Sequence, residues 1–241
     1  MNAPPTTVKT IAIVQSNYVP WKGYFDMIRA VDEFILYDDV QYTRRDWRNR
    51  NRIKTPAGTQ WLTIPVDVKG KYLQKIKDTR VSDRDWARRH WQCLRCSYGR
   101  APFFNAFKDR LEAFYLNETS QWLSDINREL IQLVCSLLRV TTQIRSSSDF
   151  RLTESEPSLR LLEICRQSAA NEYLSGPAAR DYLDVSRFEQ VGTRVRWMDY
   201  AGYPPYVQMH GSFEHAVSVL DLLFMTGPAA PLYLEHQCHA A

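Results

Sequence analysis

TIAIVQSNYVPWKGYFDMIRAVDEFILYDD, residues 10–39, decides the fold. Thr10–Gln15 sets four apolar residues, most of them β-branched, ahead of a polar break, which is the pattern of a buried strand. Ser16, Asn17 and Pro20 then supply a loop. Apolar residues at 21, 24, 25, 28 and 31 recur on one helical face, so a helix is predicted over Trp21–Val31. Glu33–Tyr37 (EFILY) reads as a second strand, ending in the paired acids Asp38 and Asp39. Strand, crossover helix and strand within about 30 residues make a right-handed βαβ unit with parallel strands.

In open sheets of this kind, ligands bind outside the carboxyl ends of the strands. The loops leaving those ends are Gln15–Pro20 and Asp38–Arg52. The amino terminus of the helix near Trp21 would face the same crevice and favour an anion there.

Outward from this unit, Gln60–Val66 is predicted as a third strand, with Pro65 placing it near an edge or a strand end. Helices are expected over Arg84–Tyr98, Phe104–Leu116 and Ser120–Leu138, the last with an apolar stripe through Ile126, Leu130, Leu133, Val134 and Leu137. Strands at Thr141–Arg145, Glu172–Ser175 and Arg194–Met198 alternate with helical stretches at Ser158–Ser168, Ala178–Leu183 and Phe213–Met225. The expected fold is therefore α/β, a mostly parallel, Rossmann-like sheet with an inserted helical region at about 84–138. The organisation read from it is a disordered start (1–9), a single domain (10–228) and a tail (229–241).

Net charge is +4, but residues 41–100 hold 16 Lys or Arg against 5 acids. That asymmetry points to an anionic partner: a nucleotide, a sugar nucleotide, an acidic carrier protein or nucleic acid. For the scattered charges of 69–89 a solvated face is the better account. Cysteines at 93, 96, 135, 165 and 238 are odd in number and lack a framework, which fits reduced thiols and a cytoplasmic location. Neither a secretory signal nor an apolar run of membrane-spanning length is read, so no membrane partner is expected.

Residues 15–53 and several later segments resemble the WbqC-like family. The matching positions are Gln15, Tyr18, Pro20, Trp21, Gly23, Tyr24 and Phe25, then Val31, Asp32, Phe34 and Tyr37 through Tyr42, then Trp47 and Asn49 through Ile53. The match continues through WLTIPV at 61–66, His90, the Tyr98 to Phe104 stretch and YLSGPAARDYLD at 173–184, and closes with Tyr206, Gln208, Phe213, Ser218, Asp221 and Gly227. It departs at Ser16, where the family usually has Pro, and at 168–171. The resemblance implies a place among surface-glycan and O-antigen gene clusters, with transfer of glycine or another aminoacyl group to a sugar; relatives in natural-product clusters imply a carrier-bound acyl donor. A more distant resemblance, of Val14–Phe25 to the first βα unit of nucleotidylyltransferase-like proteins, lacks both histidines of their His-x-x-Gly-His loop. In their place stands Trp21-Lys22-Gly23-Tyr24.

Of the candidate residues, Asp38 and Asp39 leave a strand end, where successive side chains point oppositely, so one of the two would face the crevice. That acid could act as a general base or hold a metal or sugar hydroxyls; the plainer alternative is loop capping or pairing with arginines. Arg50 and Arg52, with Arg44, Arg45 and Arg48, offer planar forks for phosphate, and Tyr42 and Trp47 offer faces for a base or sugar. Asn49, Asn51, Gln15 and Gln41 can present amides to a ligand or hold the loops. Gly23 would allow close backbone approach. Ser175, before Gly176, could help bind an anion or simply cap a turn. Tyr18, Tyr24, His90, Gln208 and Asp221 enter as binding residues by resemblance.

His90-x-x-Cys93-x-x-Cys96 lacks a fourth ligand and its i+6 member drifts off the helical face, so no metal is expected. Single-stranded nucleic acid would suit basic residues with stacking rings, but no recognition motif accompanies them. The expected activity is a transferase joining an aminoacyl or acyl group, from a carrier-protein thioester or nucleotide-activated donor, to an amino sugar or small metabolite. A binding module for a carrier protein or sugar nucleotide, and an ATP-dependent ligase, are the alternatives.

Overall fold

The computed structural model describes residues 8–234. Most of the expected disordered start (1–7), the end of the tail (235–241) and Cys238 lie outside the described residues. In chain order the elements are β1 (Thr10–Val14), α1 (Lys22–Arg29), β2 (Glu33–Leu36), β3 (Arg50–Thr55), β4 (Gly58–Thr63), α2 (Trp86–Tyr98), α3 (Phe104–Asn117) and α4 (Leu123–Leu137). Then come β5 (Gln143–Ser146), α5 (Pro157–Gln167), β6 (Glu172–Ser175), α6 (Val185–Glu189), β7 (Arg194–Trp197) and α7 (Val219–Thr226). These form two compact units, one of residues 8–14, 27–37 and 142–199, the other of residues 15–26, 38–141 and 200–234.

The first unit carries a five-stranded sheet in the order β5-β2-β1-β6-β7, every pair parallel. The protein is thus α/β with a parallel main sheet and helical insertions. Counted along the chain these strands run 3-2-1-4-5, so the order reverses between β1 and β6, a topological switch point of the doubly wound kind. Both central strands are apolar on two faces, as buried parallel strands must be: Ile11, Ala12, Phe34 and Ile35 are fully buried. Glu33 is buried among them and is neutralised by Lys9 (2.7 Å) and Arg145 (2.9 Å).

The second unit is helical around a two-stranded antiparallel sheet. Here the structure departs from the sequence expectation. The strand expected at Gln60–Val66 is Gly58–Thr63, and it joins no parallel sheet; it pairs with β3, a stretch expected to be loop through Arg52. RNRIKT (50–55) has one large apolar residue, so hydrophobic pattern could not reveal it. The terminal helix, expected from Phe213, begins at Val219, because the Ser218 hydroxyl caps it by accepting from the Leu220 N–H (3.3 Å). Residues 200–217 are irregular instead.

Candidate functional site

The loops 15–20 and 38–49 belong to the second unit and are tied together by hydrogen bonds. Asp38, 1% exposed, accepts from the Ser16 N–H at 2.9 Å and from the Ser124 hydroxyl. Burial pushes its carboxyl above the usual range, and these bonds offset part of that rise. Tyr18 N–H donates to the Trp47 carbonyl (3.0 Å), and the Arg48 guanidinium donates to Asn17 Oδ1. Asn127, on α4, donates from one amide nitrogen to Ser16 Oγ (3.0 Å) and to the Arg48 carbonyl (2.8 Å). Val19 sits at φ +36°, a region in which a β-branched side chain is strained. The Asn51 amide holds it there by donating to the Tyr18 (3.2 Å) and Val19 (2.9 Å) carbonyls.

Pairing of Arg52 with Trp61 and of Arg50 with Thr63 fixes the two faces of the β3–β4 hairpin, since side chains alternate along a strand. Asn51, Ile53 and Leu62 point inward and are buried. Arg50, Arg52 and Trp61 share the other face. The Arg50 guanidinium lies 4.2 Å from the Trp61 ring centre and that of Arg52 at 5.7 Å, while the Trp47 ring packs against Trp61 at 5.4 Å. Both tryptophans stay well exposed, at 39% and 41%.

A cavity of about 240 Å³ opens beside this face, lined by Asn17, Pro20, Trp21, Trp47, Asn51, His215 and Ala216. Gly23 serves its wall: a Cβ there would stand 2.4 Å from the Trp21 indole, so a side chain at this position would displace the ring. Lys22, the first residue of the helix, is buried, with its ammonium donating to the Pro204 carbonyl (3.0 Å) and ringed by Tyr203, Tyr206 and Phe213. Desolvation lowers its pKa to about 8. Partial desolvation and the Lys22 charge hold the His215 imidazole below its ordinary value, with Glu214 opposing the shift.

The other expected residues do not line this cavity. Asp39 pairs with Lys77 (2.6 Å) and Lys75 (3.4 Å). Tyr24 donates to the Gln15 carbonyl (3.1 Å), and Asn49 donates to the Ile64 carbonyl (2.7 Å) while its own buried Oδ1 finds no donor among the described residues. Gln41 donates to the Tyr72 carbonyl, and Tyr42 is pushed up to about 12 by burial. His90 lies in a buried relay, its Nδ1 2.8 Å from the Tyr18 hydroxyl, which is 3.0 Å from that of Tyr115; burial lowers it to about 4. Asp221 accepts from Tyr98 (2.9 Å) and Tyr206 (2.8 Å), and Gln208 donates to Tyr206 and to the Glu214 carbonyl. Ser175 belongs to the sheet unit, where its hydroxyl donates to that of Tyr173 (3.3 Å). Among the described residues no group of three or more His, Cys, Asp or Glu side chains could hold a metal ion, Cys93, Cys96, Cys135 and Cys165 are free, and no helix is long and apolar enough to cross a membrane.

The WbqC-like protein family profile matches residues 15–233, which takes in both loops, the hairpin and the segment bearing His215. The chain belongs to that family. An uncharacterized protein of Mycobacterium tuberculosis is 51% identical to it over 229 residues, covering 95% of this chain and 99% of the relative. No solved structure matches this WbqC-like chain.

Several side chains that build the site are not singled out by the sequence pattern. Asn127 had a signal: it is a polar residue at a buried position of the α4 stripe, where an amide must find partners. Trp61 had one too, as an aromatic residue facing away from the buried Leu62. Lys22 and His215 had none, because neither spacing nor pattern joins residues so far apart in the chain.

Proposed function

We propose that this WbqC-like protein is a cytoplasmic transferase that moves an aminoacyl or acyl group from an activated donor onto an amine or hydroxyl of an amino sugar or small metabolite. The observation that carries the reading is the cavity beside the hairpin. Asn17 presents an amide NH2 able to read a carbonyl or hydroxyl, Trp21 and Trp47 give it apolar walls, and the adjoining face offers two guanidinium groups to an anionic activating group. Asp39 is assigned the proton, because its partners are two partly exposed lysines, whereas Asp38 is bonded into the buried scaffold through Ser16 and Ser124. Gln15, Gln41, Tyr42, Asn49, Tyr18 and Tyr24 shape and support the two loops around the acceptor.

Purified protein supplied with sugar nucleotides or amino sugars, and with aminoacyl donors both free and carrier-bound, is expected to form an acylated product detectable by mass spectrometry. Absence of product from every pairing would overturn the assignment. The commitment of both Asp38 oxygens to the scaffold favours one second reading, a binding module that docks its ligand without turnover; tight binding with no product would select it.

A further inference from the structure

We propose that the outer face of the β3–β4 hairpin, Arg50, Arg52 and Trp61 together with Trp47, is a subsite for one nucleoside diphosphate. Charge supports it first. Among the described residues neither Arg50 nor Arg52 has a carboxylate within ion-pair distance; Arg50 Nη2 donates to the Arg45 carbonyl, and the Nε of each arginine is buried without an acceptor. Two adjacent guanidinium charges with no carboxylate beside them are complemented by a diphosphate, whose oxyanions can meet the Nη groups of both planar forks.

Shape supports it independently. Trp47 and Trp61 expose flat apolar surface immediately beside those cations, the arrangement on which a nucleobase stacks. The hairpin is also pre-organised, since six consecutive residue pairs join its strands and its inner face is anchored by buried Ile53 and Leu62. A single nucleotide is the matching occupant rather than a strand of nucleic acid. Two rings offer one stacking platform, and the neighbouring cations that could extend a groove are engaged: Arg44 donates to the Val68 carbonyl and Arg48 to Asn17. Trp47 borders both the platform and the cavity, so the group attached to the diphosphate would be directed toward Asn17 and Asn51.

The orientation into the cavity rests on the transferase reading, whereas binding itself does not. Calorimetry and tryptophan fluorescence with UDP, dTDP, ADP, GDP, uridine and inorganic pyrophosphate would test it, on wild type, Trp61→Leu and Arg52→Gln, with circular dichroism to confirm folding. At least one nucleoside diphosphate should bind, quench fluorescence and weaken with salt. Its affinity should fall about tenfold or more in each variant, while pyrophosphate is weakened only by Arg52→Gln. The subsite is overturned if no diphosphate binds at millimolar concentration, if Trp61→Leu binds the diphosphates like wild type, or if an eight-nucleotide oligomer binds far more tightly than any mononucleotide. Nucleotide binding without acyl transfer would remove the transferase reading alone; acyl transfer without nucleotide binding would remove the subsite alone.

Discussion

The Asn51 side-chain amide donates to the carbonyl oxygens of Val19 at 2.9 Å and of the preceding Tyr18 at 3.2 Å, bracing a valine whose φ is +36°. A strained residue persists only where its surroundings over-determine it. Asn51→Ala leaves two carbonyls without this donor, and is expected to destabilise the fold by about 1–3 kcal/mol. Asn51→Asp should be worse, since a buried carboxylate would face them. Urea denaturation followed by tryptophan fluorescence measures both; midpoints equal to wild type would show that the amide braces nothing.

His90 should give the protein an acid-sensitive term. Its folded pKa, about 4, lies below the ordinary 6.5, so the folded state resists taking a proton that the unfolded chain accepts. The stabilising contribution is complete above pH 6.5 and is lost progressively as pH falls toward 4, amounting to roughly 3 kcal/mol. Denaturation midpoints measured between pH 7 and 4 should decline in wild type and decline less in His90→Gln. Parallel curves for the two proteins would assign the acid loss elsewhere.

Gly23→Ala places a methyl group against the Trp21 indole, a ring packed edge-on against Tyr200 (5.2 Å) and Tyr203 (5.8 Å). The indole must leave, and the cavity loses a wall. The expected outcome is a shifted tryptophan emission, with product formation reduced at least tenfold. Unchanged emission would mean that the helix yields rather than the ring.

The two adjacent acids should separate cleanly. Asp38→Asn exchanges a double acceptor for a group with one acceptor and one donor facing Ser16 and Ser124, a loss of about 1–3 kcal/mol in stability. Asp39→Asn releases two partly exposed lysines, and should change stability by less than about 1 kcal/mol. If Asp39 handles the proton, its variant should lose about 100-fold or more in turnover while keeping its fold. Full turnover in Asp39→Asn removes it from the chemistry.

The parallel pair β1–β2 was legible because IAIV and EFIL are apolar runs of strand length bounded by polar turns. The basic character of 38–52 and its likeness to the family were legible in the sequence. The hairpin was not, since Arg50 and Arg52 face outward, Asn51 satisfies carbonyls rather than packing as a hydrophobe, and Ile53 alone gives no period. The terminal segment misled for the opposite reason: Phe213, Ala216 and Val217 look helical, yet the Ser218 cap starts α7 only after them. What local pattern cannot show is pairing across distance, and the cavity is made of it, with Asn17, Asn51 and His215 contributed by three separate stretches.

The segment 200–217 brings His215 and Ala216 to the cavity while being fastened at other points: Gln208 closes a ring with the Glu214 backbone at 2.8 and 3.0 Å, Tyr206 is bound to Asp221, and Ala216 N–H donates to Glu214 Oε1. The side chains that fasten it are therefore different from those that face the cavity. A wall built in this way can be rewritten at 215 and 216 without dismantling what carries it, giving evolution and protein engineering alike a place to alter ligand preference while the fold stays constant.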